Sequence, residues 1–139
     1  MSEGTTKTPN FAGTWRLIPS QSRLPGPPVR QMSMEIKHEG SDFVQVARVE
    51  YADGRIATRT FAGRTTGEPF VIELGRSVVH CRAAWVGQEL VIDTVDQSGG
   101  APRRLRDYWS LIEGGRKLKM EHRDDELAGH VGVLERVTP

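Results

Sequence analysis

Short runs of alternating apolar and polar residues follow one another along this chain, and residues typical of turns separate them. The first run, 11–18, places Phe11, Trp15 and Leu17 on one face. A period of two is typical of a β-strand, because successive side chains point to opposite faces of a sheet. About ten such runs continue as far as Val137, and this spacing predicts an all-β sandwich or barrel.

Turn residues between the runs indicate that neighbouring strands are joined by hairpins. Asp53-Gly54 stands between two alternating runs, and Gly87-Gln88 reverses the chain between two more. Asp-Gly between such runs is a strong hairpin signal. We therefore expect strands in meander order, joined by short loops.

One segment, 103–112, fits two periods. Its apolar residues match the spacing of an amphipathic helix at Leu105, Tyr108, Trp109 and Ile112. The same segment also alternates at Leu105, Asp107, Trp109 and Leu111. We expect a strand, because the Gly-Gly pair that follows suits a hairpin into the run at Leu118.

A sheet of this many strands has two exposed edges unless it closes on itself. Few helices are predicted that could cover one of its faces, so the apolar face must turn inward. We therefore predict a closed antiparallel up-and-down β-barrel of about 8–10 strands, wide enough inside for side chains and one small ligand. Residues 11–139 should form this barrel as a single domain, after a flexible N-terminal segment at 1–10.

Composition excludes several classes of function. The 139 residues carry 19 Lys and Arg against 18 Asp and Glu, a net charge of +1 without blocks of one sign, so we expect no nucleic-acid partner. No apolar run reaches the roughly 20 residues that span a bilayer, so we expect no membrane insertion. Cys81 is the only cysteine and Met1–Asn10 is polar, which suggests a cytoplasmic protein. We expect a monomer or a homodimer.

The segment Phe11-Ala-Gly-Thr-Trp15 and the final run Val133-Leu-Glu-Arg-Val137 resemble the first and last strands of calycins, the lipocalins and intracellular fatty-acid-binding proteins. The resemblance extends over nearly the whole chain, and it implies a calycin-like barrel that binds a small hydrophobic molecule. Fatty-acid-binding proteins carry a helical lid after the first strand. Here that interval, Pro19–Arg30, contains several prolines, so we expect no helical lid.

The resemblance also implies where a fatty-acid carboxylate would be anchored, and this chain departs from the pattern there. The anchoring Arg and Tyr of the last strand correspond to Gly132 and Leu134, and a second anchoring Arg corresponds to Trp109. We therefore do not expect a fatty acid as the ligand. By the same resemblance Trp15 should close the base of the barrel, covered by Arg136 in a cation–π contact.

The candidate ligand-binding residues lie on the registers expected to face inward, and most are large or apolar. They are Met34, Phe61, Ile72, Trp85, Ile92, Asp107, Trp109, His122 and His130. Asp107 beside an imidazole in a water-poor barrel interior could orient a ligand or form an acid–base pair. Alternatively, Arg104 or Arg123 neutralises Asp107 and both histidines lie at the rim.

No metal ligands stand at characteristic spacing and no cofactor motif is present, so we expect neither a metal nor a cofactor. Our first hypothesis is a carrier or sequestering protein for a small hydrophobic molecule. The alternative is a small barrel enzyme of isomerase or cyclase type, acting on an apolar substrate in the same cavity. A third possibility is an interaction protein that acts through the proline-containing loop.

Overall fold

We describe the protein from a computed structural model, which covers residues 8–74, 77–97 and 99–137. Ten β-strands make up nearly all of its regular structure. They are β1 (Gly13–Leu17), β2 (Val29–Glu39), β3 (Asp42–Tyr51), β4 (Ile56–Arg64), β5 (Thr66–Leu74), β6 (Ser77–Val86), β7 (Glu89–Asp96), β8 (Arg103–Ile112), β9 (Lys117–His122) and β10 (Val131–Arg136). Two single 3₁₀ turns, Pro19–Gln21 and Glu113–Gly115, lie between strands.

The strands form one antiparallel sheet that curls into a nearly closed barrel. Its order is β4-β3-β2-β1-β10-β9-β8-β7-β6-β5, so the first and last strands pair and β4 and β5 are the two edges. These edges approach each other, and the Phe61 and Phe70 rings lie 5.9 Å apart across the seam. The predicted up-and-down barrel is confirmed, and segment 103–112 is a strand as expected.

Residues that alternate along the sequence face the inside and the outside of the barrel in turn. Along β2, Met34, Ile36 and His38 are buried while the residues between them are exposed. In β8, Trp109 is buried. Since each strand turns its apolar register to the same interior, burial of these side chains is the main force that holds the barrel together.

One end of the barrel is closed by its own side chains, and we call it the base. Trp15 is fully buried there, and its indole N–H donates to the Phe11 carbonyl at 2.9 Å. The guanidinium carbon of Arg136 lies 4.3 Å from the Trp15 ring centroid. Gly13 has φ +142°, and a Cβ there would stand 2.6 Å from Nη1 of Arg136. The expected Trp15 plug with its cation–π cover is therefore confirmed.

The connection between β1 and β2 crosses the opposite, open end. Its only helical turn is Pro19–Gln21, and the rest is extended or irregular chain. Arg23 exchanges two backbone hydrogen bonds with Val131, at 2.7 and 2.8 Å, which ties this strap to β10. The Leu24 side chain lies against Gly132, where an added Cβ would be 3.4 Å from its Cδ2.

Candidate functional site

Aromatic rings from opposite walls meet in the middle of the barrel, and we call this group the aromatic core. It consists of Phe11, Phe43, Phe61, Phe70, Trp85 and Trp109. Phe43 of β3 and Trp109 of β8 have ring centroids 5.6 Å apart, although their strands lie on different sides of the barrel. The predicted wall residues Trp85 and Trp109 both contact Phe11, and their ring centroids lie 5.7 and 5.8 Å from that of Phe11. Edge-to-face and offset contacts of this kind are favourable for aromatic pairs.

His38 joins the aromatic core near the base of the barrel. Its ring stacks on Phe11 with centroids 5.8 Å apart, and the Phe11 backbone N–H donates to its Nδ1 at 3.1 Å. This bond requires an unprotonated Nδ1, and burial lowers the pKa of His38. The sequence pattern gave no role to His38, and Phe11 was expected only as a strand residue.

The predicted residues Met34 and Ile72 lie in different parts of the interior. Met34 is buried, and its sulfur accepts a bond from the Gln45 side-chain amide at 3.2 Å. Ile72 packs in a second apolar cluster with Val79 and Cys81. The Cys81 thiol lies 3.8 Å from the Thr94 hydroxyl, and burial raises its pKa, which makes it a poor nucleophile.

Polar side chains meet near the open end, and we call Asp107, His122 and Asp125 the acid–imidazole cluster. Asp107 of β8 is paired in register with His122, the last residue of β9, and with Ile92 of β7. Nδ1 of His122 lies 3.1 Å from Oδ1 of Asp107 and 3.5 Å from Oδ2 of Asp125. The carboxylate–imidazole contact, one of the two alternatives that the sequence leaves open, is therefore present, and a second carboxylate from the loop after β9 joins it.

The backbone fixes Asp125 in this cluster. Its Oδ2 accepts from the Arg106 N–H at 2.6 Å and its Oδ1 from the Leu127 N–H at 2.7 Å. β9 ends at His122, so no residue of β9 pairs with Arg106. Asp125 bonds to β8 there instead, by accepting the N–H of Arg106. Burial alone would raise the pKa of Asp125, but these two bonds and His122 lower it overall.

The pKa of Asp107 shifts in the opposite direction to that of Asp125. Burial raises its pKa to about 6, and the charge of Asp125 adds to this rise while His122 opposes it. No residue in the described part of the chain donates a well-formed hydrogen bond to its carboxylate. Arg123 instead pairs with Glu89 and Glu121 on the outside of the barrel, which removes one of the two partners considered for Asp107.

The other candidates lie around this cluster. Ile92 is buried beside Asp107. His130 is half-buried just before β10, and its Nδ1–H donates to the Leu127 carbonyl at 2.8 Å. A cavity of about 630 Å³ adjoins the cluster, and its lining includes Thr94, Leu105 and Asp125. Most of its other lining residues, such as Arg82, Asp93 and Arg106, stand on the outward register of β6, β7 and β8, so the cavity lies mainly on the outer face of the barrel, and Asp107 is not part of its lining.

Besides Phe11 and His38, sequence reasoning missed four residues of the interior that the tertiary structure brings in: Phe43, Phe70, Gln45 and Asp125. The alternation of their runs could have identified the first three. Asp125 lies in a polar stretch that carries no such pattern, and its role depends on the backbone N–H groups left free beyond the end of β9.

Within 8–74, 77–97 and 99–137, no three His, Cys, Asp or Glu side chains are grouped so as to hold a metal ion. In the same ranges there is no helix with the length and apolar character needed to cross a membrane.

Comparison with known proteins gives a likeness of fold. No family model and no curated protein sequence matches this chain. Among solved structures, a mutant of the REP1-NXSQ fatty acid transporter superimposes with a TM-score of 0.59 over 91% of this chain and 98% of that one. At 12% sequence identity this likeness shows a shared β-barrel fold.

Proposed function

We propose that this chain binds a small hydrophobic molecule inside its barrel and acts as a carrier or sequestering protein of the calycin superfamily. The observation that supports it most is the aromatic core, which two walls of the barrel share below an open end bordered by polar groups. Clefts that bind small molecules are lined mainly by such apolar and aromatic side chains, with a few polar groups for orientation. The fold shared with a fatty acid transporter agrees with this proposal.

The surroundings of β10 favour a ligand other than a fatty acid. At the positions that correspond to the carboxylate anchor, this chain has Gly132, Leu134 and Trp109. Leu24 of the strap lies against Gly132, so an arginine side chain at that position would meet it. Leu134 is fully buried among apolar residues. We infer that the head group of the ligand is recognised elsewhere in the barrel.

Contact quenching of tryptophan fluorescence tests this proposal. The probe is 1-bromododecane, whose heavy atom quenches only rings that it approaches closely. One variant, Trp15→Phe, keeps Trp85 and Trp109, and its matched control, Trp85→Phe with Trp109→Phe, keeps only the base tryptophan. We expect strong saturable quenching in the first variant and little in the second.

Circular dichroism checks that both variants keep the β-sheet spectrum of the unaltered chain. Equal quenching of the two variants, or none in either, would contradict binding within the aromatic core. Native mass spectrometry of protein purified from its source should in addition show a retained small molecule.

A second candidate function is catalysis of proton transfer in the same barrel, favoured by the contact between Asp107 and His122. A carboxyl group with a pKa near 6 is suited to act as a general acid or base at neutral pH. The test uses isomerisation of an apolar β,γ-unsaturated ketone, followed by NMR. If the enzyme hypothesis is right, Asp107→Asn should reduce turnover roughly 100-fold or more. No conversion by the unaltered protein would contradict it.

A further inference from the structure

The acid–imidazole cluster is an unusual feature of an otherwise apolar interior. On the neighbouring inward positions of β7 and β8 stand Ile92, Leu105 and Trp109. Burying ionisable groups in such surroundings is costly unless a partner neutralises them. In the protein alone the partner is incomplete: Nδ1 of His122 is buried and makes no aligned hydrogen bond within the described residues, although two carboxylates lie nearby.

At pH 8, above the raised pKa of Asp107, the charge of the cluster is negative whatever the state of the imidazole. With both carboxylates ionised, a protonated His122 leaves one net negative charge and a neutral His122 leaves two. Among the nearby arginines, Arg106 pairs with Asp93 and Arg123 with Glu89 on the outer face, and Arg104 stands on the outward register of β8. Arg59 stands on an inward register, on the edge strand β4, but it is exposed and bonds to the Tyr51 hydroxyl.

The two carboxylates differ in what they can offer a ligand. The side chain of Asp125 is 7% exposed and both of its oxygens accept backbone bonds. The side chain of Asp107 is 30% exposed, and His122 is its nearest polar partner in the described chain. Asp107 can therefore accept a bond from a group that enters through the open end, while Asp125 supplies a fixed charge behind it.

The aromatic side chains next to Asp107 suit a positive charge. Trp109 lies two residues further along the same face of β8, and Phe43 and Phe61 pack on its ring at 5.6 and 6.1 Å. The faces of such rings attract cations, most strongly the indole ring. A carboxylate beside aromatic faces attracts an ammonium group and repels a carboxylate.

Resting on the function proposed above, we propose that the ligand is a hydrophobic amine, whose ammonium group Asp107 binds within the acid–imidazole cluster beside Trp109. The alkyl or ring part of the amine then lies along the aromatic core. This assigns the substrate class that the barrel prefers, and it accounts for a buried negative cluster at the position where a ligand would enter.

Three probes with one chain and different head groups test this inference. They are 1-aminododecane, 1-dodecanol and dodecanoate, each competing with the neutral dye N-phenyl-1-naphthylamine at pH 8. We expect the amine to bind tightest, the alcohol next and the carboxylate weakest. Asp107→Asn should weaken the amine about tenfold, as expected for the loss of a charge-assisted bond, and change the alcohol about twofold or less.

The matched control is Asp42→Asn, which removes the same charge from an exposed residue paired with Arg64. It should leave all three affinities unchanged. If dodecanoate binds as tightly as the amine to the unaltered protein, the inference is overturned while binding of a hydrophobic molecule stands. The same holds if Asp107→Asn folds and keeps full affinity for the amine. If neither the dye nor any probe binds, the proposed function itself is wrong.

A pH series on the unaltered protein gives a readout that needs no variant. The groups facing Asp107 are His122 on β9, Asp125 in the loop after it and the Cys81 thiol on β6. Because protonation of Asp107 removes the charge that binds the ammonium, amine affinity should fall between pH 8 and pH 5. Alcohol affinity should change little. Amine affinity that is constant over this range would contradict the role of Asp107.

Discussion

At the scale of single residues, Asp107 shows how a binding group can cost stability. Its carboxyl is half-buried without a donor that fully satisfies it, and its pKa rises from the ordinary 3.8 to about 6. Above pH 6 the folded protein must hold an ionised carboxylate that would be better solvated in the unfolded chain. Functional groups that a ligand is meant to satisfy commonly have this character.

Asp107→Asn should therefore stabilise the ligand-free protein at pH 8, by roughly 1–3 kcal/mol. The folded pKa lies above the unfolded one, so the penalty is fully present above pH 6 and disappears as the pH falls toward 4. Urea unfolding at pH 8 and pH 5 measures the difference, which should be clearly smaller at pH 5. Asp42→Asn serves as the control, and a destabilised Asp107→Asn at pH 8 would contradict this account.

The Phe70 ring leaves no room for a side chain at Gly63. Gly63 lies on the edge strand β4, and a Cβ there would overlap the Phe70 ring on β5. Gly63→Ala should cost about 1–3 kcal/mol of unfolding free energy, because the ring must move within the seam. Gly99→Ala is the control, since a Cβ at Gly99 meets nothing within 4 Å. Equal denaturation midpoints for the two variants would show that the seam tolerates the methyl group.

At the scale of elements, the segment before β1 acts as part of the barrel. Asn10 donates from its side chain to the His38 carbonyl at 3.2 Å, and the Phe11 N–H donates to the His38 ring. Phe11 is 1% exposed and fills the space among His38, Trp85 and Trp109. A residue outside the regular strands thus determines how far the interior extends toward the base. The N-terminal segment at 1–10 was expected to be flexible, and residues 1–7 lie outside the described chain.

The attachment of this segment should depend on pH through His38. Burial lowers the pKa of His38 below its ordinary 6.5, so its contribution to stability is present above pH 6.5 and is lost as the pH falls through the lowered value. Protonated Nδ1 can no longer accept the Phe11 N–H. The difference in unfolding free energy between the unaltered chain and His38→Gln should shrink from pH 7.5 to pH 5. A constant difference would mean that His38 does not titrate with unfolding.

At the scale of the whole molecule, the first and last strands pair with each other. β1 pairs with β10 so that Trp15 lies opposite Arg136, and the other strands flank this pair in the sheet, three beyond β1 and five beyond β10. Such non-local pairing ties the stability of each strand to the ring as a whole. The strap over the open end is bonded to β10 in the same way, through Arg23 and Val131.

Leu134→Ala tests this coupling. Leu134 is fully buried at the centre of the last strand, so the variant should lose about 2–5 kcal/mol. The loss should occur in one cooperative transition, in which tryptophan fluorescence and far-ultraviolet circular dichroism coincide. Two separate transitions would indicate that the β1–β10 pair unfolds independently of the aromatic core.

Much of the fold could be predicted from the sequence, because the strand signal is local. The alternation at Met34 and Ile36, or at Trp109, states which side chains face inward without reference to any distant residue. Turn residues such as Asp53-Gly54 fix the order of neighbouring strands for the same reason. For the site, this reasoning placed the candidates on an inward register, and their role in binding stays a prediction.

The sequence by itself determined the strands, their faces and the barrel, since a period of two and the chemistry of turns act over a few residues. Only the tertiary structure decided which inward residues meet. It folds Phe11 back onto Trp85, places Leu24 against Gly132, and brings Asp125 to His122. These contacts depend on where strands end and how loops satisfy the backbone groups left free there, which no local pattern of apolar and polar residues records.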